Sequence, residues 1–116
     1  MKYLYLLYAD ETRMPAPGSP EMQQQLEGYN AFYAEVEAAG AVKGGDPVQG
    51  SATSTTVRVR NGSVEPTKGP FSPGGEQVIG FYVLDCASED DAVKYAAKIP
   101  AAQHGAVEIR PIMSLA

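Results

Sequence analysis

The sequence predicts one α+β domain of the split βαβ type, and three observations carry that expectation. Two segments, Lys2–Ala9 and Gln77–Cys86, are apolar at odd and even positions alike, as strands covered on both faces are. Two helix-forming segments each follow one of these strands. An Asn61-Gly62 pair between β-rich segments marks a tight hairpin.

In Lys2–Ala9, Tyr3, Tyr5 and Leu7 point one way and Leu4, Leu6 and Tyr8 the other. Asp10 to Gly18, with Pro15 and Pro17, is a loop. Ser19-Pro20-Glu21 then reads as a helix start: a Ser cap, a Pro at the first position and an acid near the positive end of the dipole. Met22, Leu26, Tyr29, Tyr33 and Val36 recur at spacings of four and three, one apolar stripe. Gln23, Gln24, Glu27, Asn30 and Glu37 form the solvated side, and Gly40 ends the helix.

A short strand is expected near Ala41–Lys43, followed by a loop rich in Gly, Pro, Ser and Thr. Thr55, Val57 and Val59 alternate with Thr56, Arg58 and Arg60, the pattern of a half-buried strand that turns at Asn61-Gly62 into Ser63–Pro66. Thr67–Gly75 is a Gly/Pro loop. Within Gln77–Cys86, Val78, Tyr82, Leu84 and Cys86 fall on one face and Ile79, Phe81 and Val83 on the other. Gly80 marks a close approach of backbone or ligand. Ser88-Glu89-Asp90-Asp91 caps a second helix with Ala92, Val93, Ala96, Ala97 and Ile99 on its apolar side, and Pro100 stops it. A loop, Ala101–Gly105, leads to a last strand over Ala106–Ile112. The order is that of ferredoxin-like folds, with an added hairpin, and it places the two doubly apolar strands at the centre. Two helices cover one face of such a sheet, so the other face predicts a homodimer.

Composition limits the function. The chain of 116 residues has the size of one domain, residues 1–116. Net charge is −5 and the pI about 4.7, which argues against nucleic acid and against an anionic membrane surface. The apolar run at the N-terminus is too short to span a bilayer and lacks a small-residue cleavage site. Cys86 is the one cysteine, which suits a reducing compartment. A cytoplasmic location is therefore expected. One His and one Cys cannot build a typical zinc site, and Gly44-Gly45 and Gly74-Gly75 lack the Lys and Ser/Thr of a phosphate loop. No cofactor is expected.

Lys68-Gly69-Pro70-Phe71, followed by Glu76, Gly80, Phe81 and Tyr82, resembles the signature of the YCII-related, or DGPF-domain, family. The opening Lys2-Tyr3…Leu7-Tyr8-Ala9-Asp10 and the ending Pro100-Ala101-Ala102…Gly105 to Pro111 are similar to it too. The resemblance implies pairing into a dimeric α+β barrel. It also implies distant kinship with small enzymes acting on hydroxylated or chlorinated aromatics. Lys68 stands where the motif's Asp would be, and residues 21–26 lack the His that one branch of the family has there. That branch's acid–base pair is thus not carried over.

The chemistry-bearing candidates are few. His104, the one histidine, is either a general base or a solvated loop residue. Asp10 and Glu11 follow the first central strand, with Arg13 close by, and either face a cleft or serve loop solvation and turn chemistry. Glu76 begins the other central strand, so antiparallel pairing brings Asp10 and Glu76 to one rim. Arg58 can hold an anion or face solvent, and Tyr8 and Tyr82 can present hydroxyls to a pocket. A pocket is expected where loop 67–75, anchored by Phe71, folds over the start of the second central strand and buries Glu76. Two functions remain: a small-molecule-binding or regulatory module, and a cofactor-independent lyase or isomerase acting on a small, possibly aromatic, substrate. The missing pair favours the module.

Overall fold

Every buried hydrogen-bonding group of a strand apolar on both sides needs a strand on each edge, and that is how the first strand is placed. In the computed structural model, which describes residues 1–115, strand β1 (Lys2–Asp10) lies between β5 (Glu76–Asp85) and β6 (Ala106–Pro111). Strand β2 (Val42–Pro47) pairs with the far edge of β5. All pairings are antiparallel and the order is β2-β5-β1-β6. The two strands with two-sided apolar patterns are the central ones, as the pattern predicts.

The helices lie on one face. Helix α1 (Pro20–Ala38) is capped by Ser19, whose hydroxyl accepts from the Met22 amide at 3.2 Å. Helix α2 (Glu89–Ala96) is capped likewise by Ser88, from Asp91. Phe32 and Val36 of α1 and Ala92 and Ala96 of α2 pack on Tyr3, Tyr5 and Leu7 of β1 and Leu84 of β5. The fully buried Tyr5 donates its hydroxyl to the Ala92 carbonyl at 2.9 Å, fixing α2 over β1. Residues 101–104, expected as loop, form a helical turn, α3 (Ala101–His104), because Pro100 starts a new turn rather than ending order. The opposite face of the sheet carries Leu4, Leu6 and Tyr8 beside Val83, Phe81 and Val78, all half-buried.

Three expectations about which side chains of the helices and of β5 face the core need correction. The stripe of α1 that meets the core is Tyr29, Phe32 and Val36: Tyr29 and Val36 belong to the predicted stripe and Phe32 takes the place of Tyr33, while Leu26 and Tyr33 are nearly half exposed. Val93 and Ala97 face solvent, since the helix ends at Ala96 and it is Ala92, Ala96 and Ile99, with Tyr95 half-buried beside them, that turn inward. In β5 a bulge opposite Leu7/Tyr8 pairs Leu7 with Gly80 and Tyr8 with Val78. The extra residue reverses the faces upstream of Gly80, so Ile79 packs against the core and Val78 sits beside Tyr8.

The hairpin forms as Asn61-Gly62 predicts, with both residues at positive φ (51° and 78°). Strands β3 (Thr55–Arg60) and β4 (Ser63–Lys68) make a separate two-stranded sheet. It is not half-buried: Val57, Val59 and Val64 are all mainly exposed.

Gly105 joins α3 to β6 in close contact with β1. A β-carbon there would collide with the Tyr8 carbonyl oxygen and lie 3.0 Å from the Glu76 carboxylate. Backbone cannot yield as a flexible side chain does. Gly105→Ala is therefore expected to destabilise the fold by roughly 1–3 kcal/mol, read as a lower urea midpoint at unchanged slope. An unchanged midpoint would mean that this junction is not the close contact described.

Candidate functional site

The rim formed by the ends of β1 and β5 brings Asp10 directly opposite Glu76, as antiparallel pairing requires. Their carboxylates have different surroundings. Asp10 accepts from the Thr12 amide at 2.9 Å and the Thr12 hydroxyl at 2.7 Å, and the Arg13 guanidinium is 3.6 Å away. These donors, the hydroxyl foremost, hold its pKa below the ordinary carboxylate value. Glu76 is exposed, and loop 69–75 does not bury it. The expected pocket under that loop is not where the open space lies, because Phe71 turns outward. It is 75% exposed, and its ring lies under the Arg58 guanidinium, 5.2 Å from the centroid.

The main cavity, about 660 Å³, lies between α1 and the β2–β5 half of the sheet. Its existence follows from local sequence. Gly80 lets the β2 backbone come close, the Asp46 carbonyl oxygen lying 3.2 Å from where its β-carbon would be, and Gly45 of β2 has φ 151° with Tyr82 where a β-carbon would go. The N-terminal half of α1 carries Met22, Leu26 and Tyr29 along the wall. Tyr82 and Ile79 line the sheet side, and Met14 from the Pro-rich loop closes one end. Tyr82 is held by Phe32, ring centroids 5.2 Å apart. Burial pushes the Tyr29 and Tyr82 phenols up, so both stay neutral donors.

A second cleft, about 570 Å³, adjoins the first, and Met14, Gln25, Tyr29 and Ile79 line both. This one is polar: Asp10, Arg13, Gln103 and His104 stand around it. The bulge in β5 makes the junction, since it turns Ile79 toward α1.

Glu11 fixes the far wall. Its carboxylate accepts from the Ser51 hydroxyl at 2.5 Å and the Ser51 amide at 2.7 Å, tying the segment after β2 across the cavity mouth. The hydroxyl, then the amide, lowers its pKa.

Of the residues singled out in the sequence, Asp10, His104 and Tyr82 line these spaces. Tyr8 does not: it lies on the open face of the sheet and donates to Glu108 at 3.0 Å, a bond that raises its own pKa. Arg58 and Phe71 sit together on the hairpin, and Glu76 is on the rim outside both linings. Sequence reasoning found Glu11 only as an acid that could face a cleft, passed over Met14 and Gln25, and read Met22 and Leu26 as part of the apolar stripe. The one available signal was the length of the apolar stripe on α1, longer than two small helices and a sheet can cover. Among the described residues, no group of three His, Cys, Asp or Glu side chains is placed to hold a metal ion, and no helix is long and apolar enough to cross a membrane.

A ferredoxin-like α+β domain with a helix–sheet cavity is thus the class that fold and site define. Within that class, the chain belongs to the YCII-related domain family, which matches it over residues 1–116. The uncharacterized protein R00369 of Rhizobium meliloti (strain 1021) is 30% identical over 114 residues, covering 97% of this chain and 92% of that one. A similar solved structure is the 5-chloro-2-hydroxyhydroquinone dehydrochlorinase TftG of Burkholderia phenoliruptrix AC1100 in complex with 2,5-dihydroxybenzoquinone. It aligns with a TM-score of 0.51 at 17% identity, over 97% of this chain and 94% of that one. At that identity the likeness supports the fold.

The lowered pKa values of Asp10 and Glu11 set a pH dependence. A carboxylate depressed by folding stabilises the fold above its unfolded pKa, and that contribution is lost as pH falls through the folded value. The urea midpoint should therefore decline from about pH 5 downward. Glu11→Gln should lower the midpoint at neutral pH and flatten the acid decline. An identical pH profile in the variant would show that the Glu11–Ser51 contact does not form.

Proposed function

We propose that this protein is a binding module, with a regulatory use of that binding, for a small, mostly apolar molecule of aromatic size. The observation that carries this reading is the main cavity: apolar, walled by Tyr29, Tyr82, Met14 and Met22, and opening onto a polar cleft. That arrangement suits a ligand with a flat apolar body and a hydrogen-bonding end directed at Arg13, Gln103 and His104. The carboxylates nearest the cavity support binding over proton transfer, because hydrogen bonds hold Asp10 and Glu11 in the ionised, weakly basic form.

A second reading, a cofactor-independent lyase or isomerase, rests on one observation: Asp10 and His104 line the same cleft beside the cavity. His104 would then be the proton carrier. The fold shared with a dehydrochlorinase is compatible with it. Glu76, Tyr8, Arg58 and Phe71 have no part in either reading.

We also propose self-association through the open face of the sheet. Leu4, Leu6, Phe81 and Val83 form an apolar surface there that a two-fold copy would cover. A reducing cytoplasm suits the free thiol of Cys86.

Thermal shift and calorimetry with 2,5-dihydroxybenzoquinone, catechol and benzoate test the binding reading. At least one should raise the melting temperature in a concentration-dependent way. Leu26→Lys, which puts a charge into the cavity from a position 49% exposed, should weaken binding by about tenfold or more with stability changed by less than about 0.5 kcal/mol. Binding unaffected by Leu26→Lys would place the site elsewhere. Turnover of the bound probe that His104→Gln abolishes would favour the lyase or isomerase.

A further inference from the structure

The β3–β4 hairpin has an apolar face that its own chain leaves uncovered. The register places Val57 opposite Pro66 and Val59 opposite Val64, so all four share one side. The three valines are 57%, 58% and 68% exposed. Arg58, Arg60 and Glu65 take the other side. The hairpin is firmly tied only at its base. There the Gly69 amide donates to the Ser54 carbonyl and the Thr56 hydroxyl to the Gly69 carbonyl, both at 2.8 Å. Glu11 holds the preceding turn through Ser51. A two-stranded sheet without a packed face is marginal in water.

Shape and charge point to what covers it. The radius of gyration is 16.1 Å, whereas a compact chain of this length should have about 13 Å. The molecule is a slab only 18 Å thick along its short axis. Residues 55–68 carry three cations and one carboxylate, a net +2 in a chain of −5, which leaves −7 on the rest. An arm of positive charge and apolar face extends from a negative body that has its own uncovered apolar sheet face. A second copy of this chain offers an apolar sheet face to the valines, and its negative body attracts the arm as a whole although Arg58 and Arg60 lie on the side away from that contact.

We propose that the β3–β4 hairpin is a dimerisation arm that lays its Val57–Val59–Val64 face on a second copy. This rests on the self-association proposed above and assigns the hairpin a part in it. A dilution series of the full chain by sedimentation equilibrium, beside the V57D/V59D variant, provides the test. The unmodified chain should reach twice its 12.3 kDa mass, and the variant should raise the dimer Kd by about tenfold or more with its circular dichroism retained. Trypsin supplies a second readout on the unmodified chain. Cleavage after Arg58 and Arg60 should be slow above the dimer Kd and fast below it. If the double variant does not fold, Val59→Ser on the same face replaces it. A dimer whose Kd the variants leave unchanged overturns the arm and leaves self-association standing. A monomer at every concentration overturns both.

Discussion

β1 is the constraint on which the rest depends. Its apolar side chains on both faces exclude it from an edge, so strands must flank it on each side and helices must cover Tyr3, Tyr5 and Leu7. A slip of one residue would exchange Tyr3, Tyr5 and Leu7 for Leu4, Leu6 and Tyr8 and break the bond from the Tyr5 hydroxyl to Ala92. That bond places α2, and α2 leads through Pro100 to the turn that carries His104. The end of β1 delivers Asp10 and Glu11, one to the polar cleft and one to the wall of the cavity. Site and core are thus two ends of the same strand.

The cavity is what remains when α1 fits the core with only half its length. Phe32 and Val36 reach the core, while Met22 and Leu26, nearer the N-terminus, line the cavity beside β5. The bulge at Ile79 divides the space into an apolar and a polar part. The bulge comes from a single residue, Ile79, that adds to the length of β5.

The sequence made the central strands, both caps, the hairpin turn and the strand order legible, because each rests on a period or a turn residue acting locally. The helix stripe is legible in part: Tyr29 and Val36 meet the core, but Leu26 and Tyr33 on one side and Phe32 on the other make an apolar band wider than the core contact. The bulge was invisible: alternation in Val78–Phe81 is equally consistent with either face until the partner strand sets the register. The site was legible only in part. Asp10, His104 and Tyr82 could be found as chemistry-bearing residues at strand ends and on a central strand. Tyr8 and Arg58 have the same chemistry, but the tertiary fold directs them away. Glu11 lies in a short 3-10 turn, Glu11–Arg13, that Asp10 caps, and Met14 follows it in a segment whose path no local pattern dictates.

The chain's methionines are built-in reporters of the account's central claim, that the space between α1 and the sheet takes a small molecule. Met14 and Met22 line the cavity, whereas Met1 and Met113 are exposed and outside its lining. A methyl-labelled methionine spectrum, titrated with 2,5-dihydroxybenzoquinone and with catechol and benzoate in turn, reads all four at once. The account predicts that at least one of these shifts the Met14 and Met22 resonances together, saturably, and leaves Met1 and Met113 in place. Shifts confined to Met1 or Met113, or none with any of the three, would contradict it.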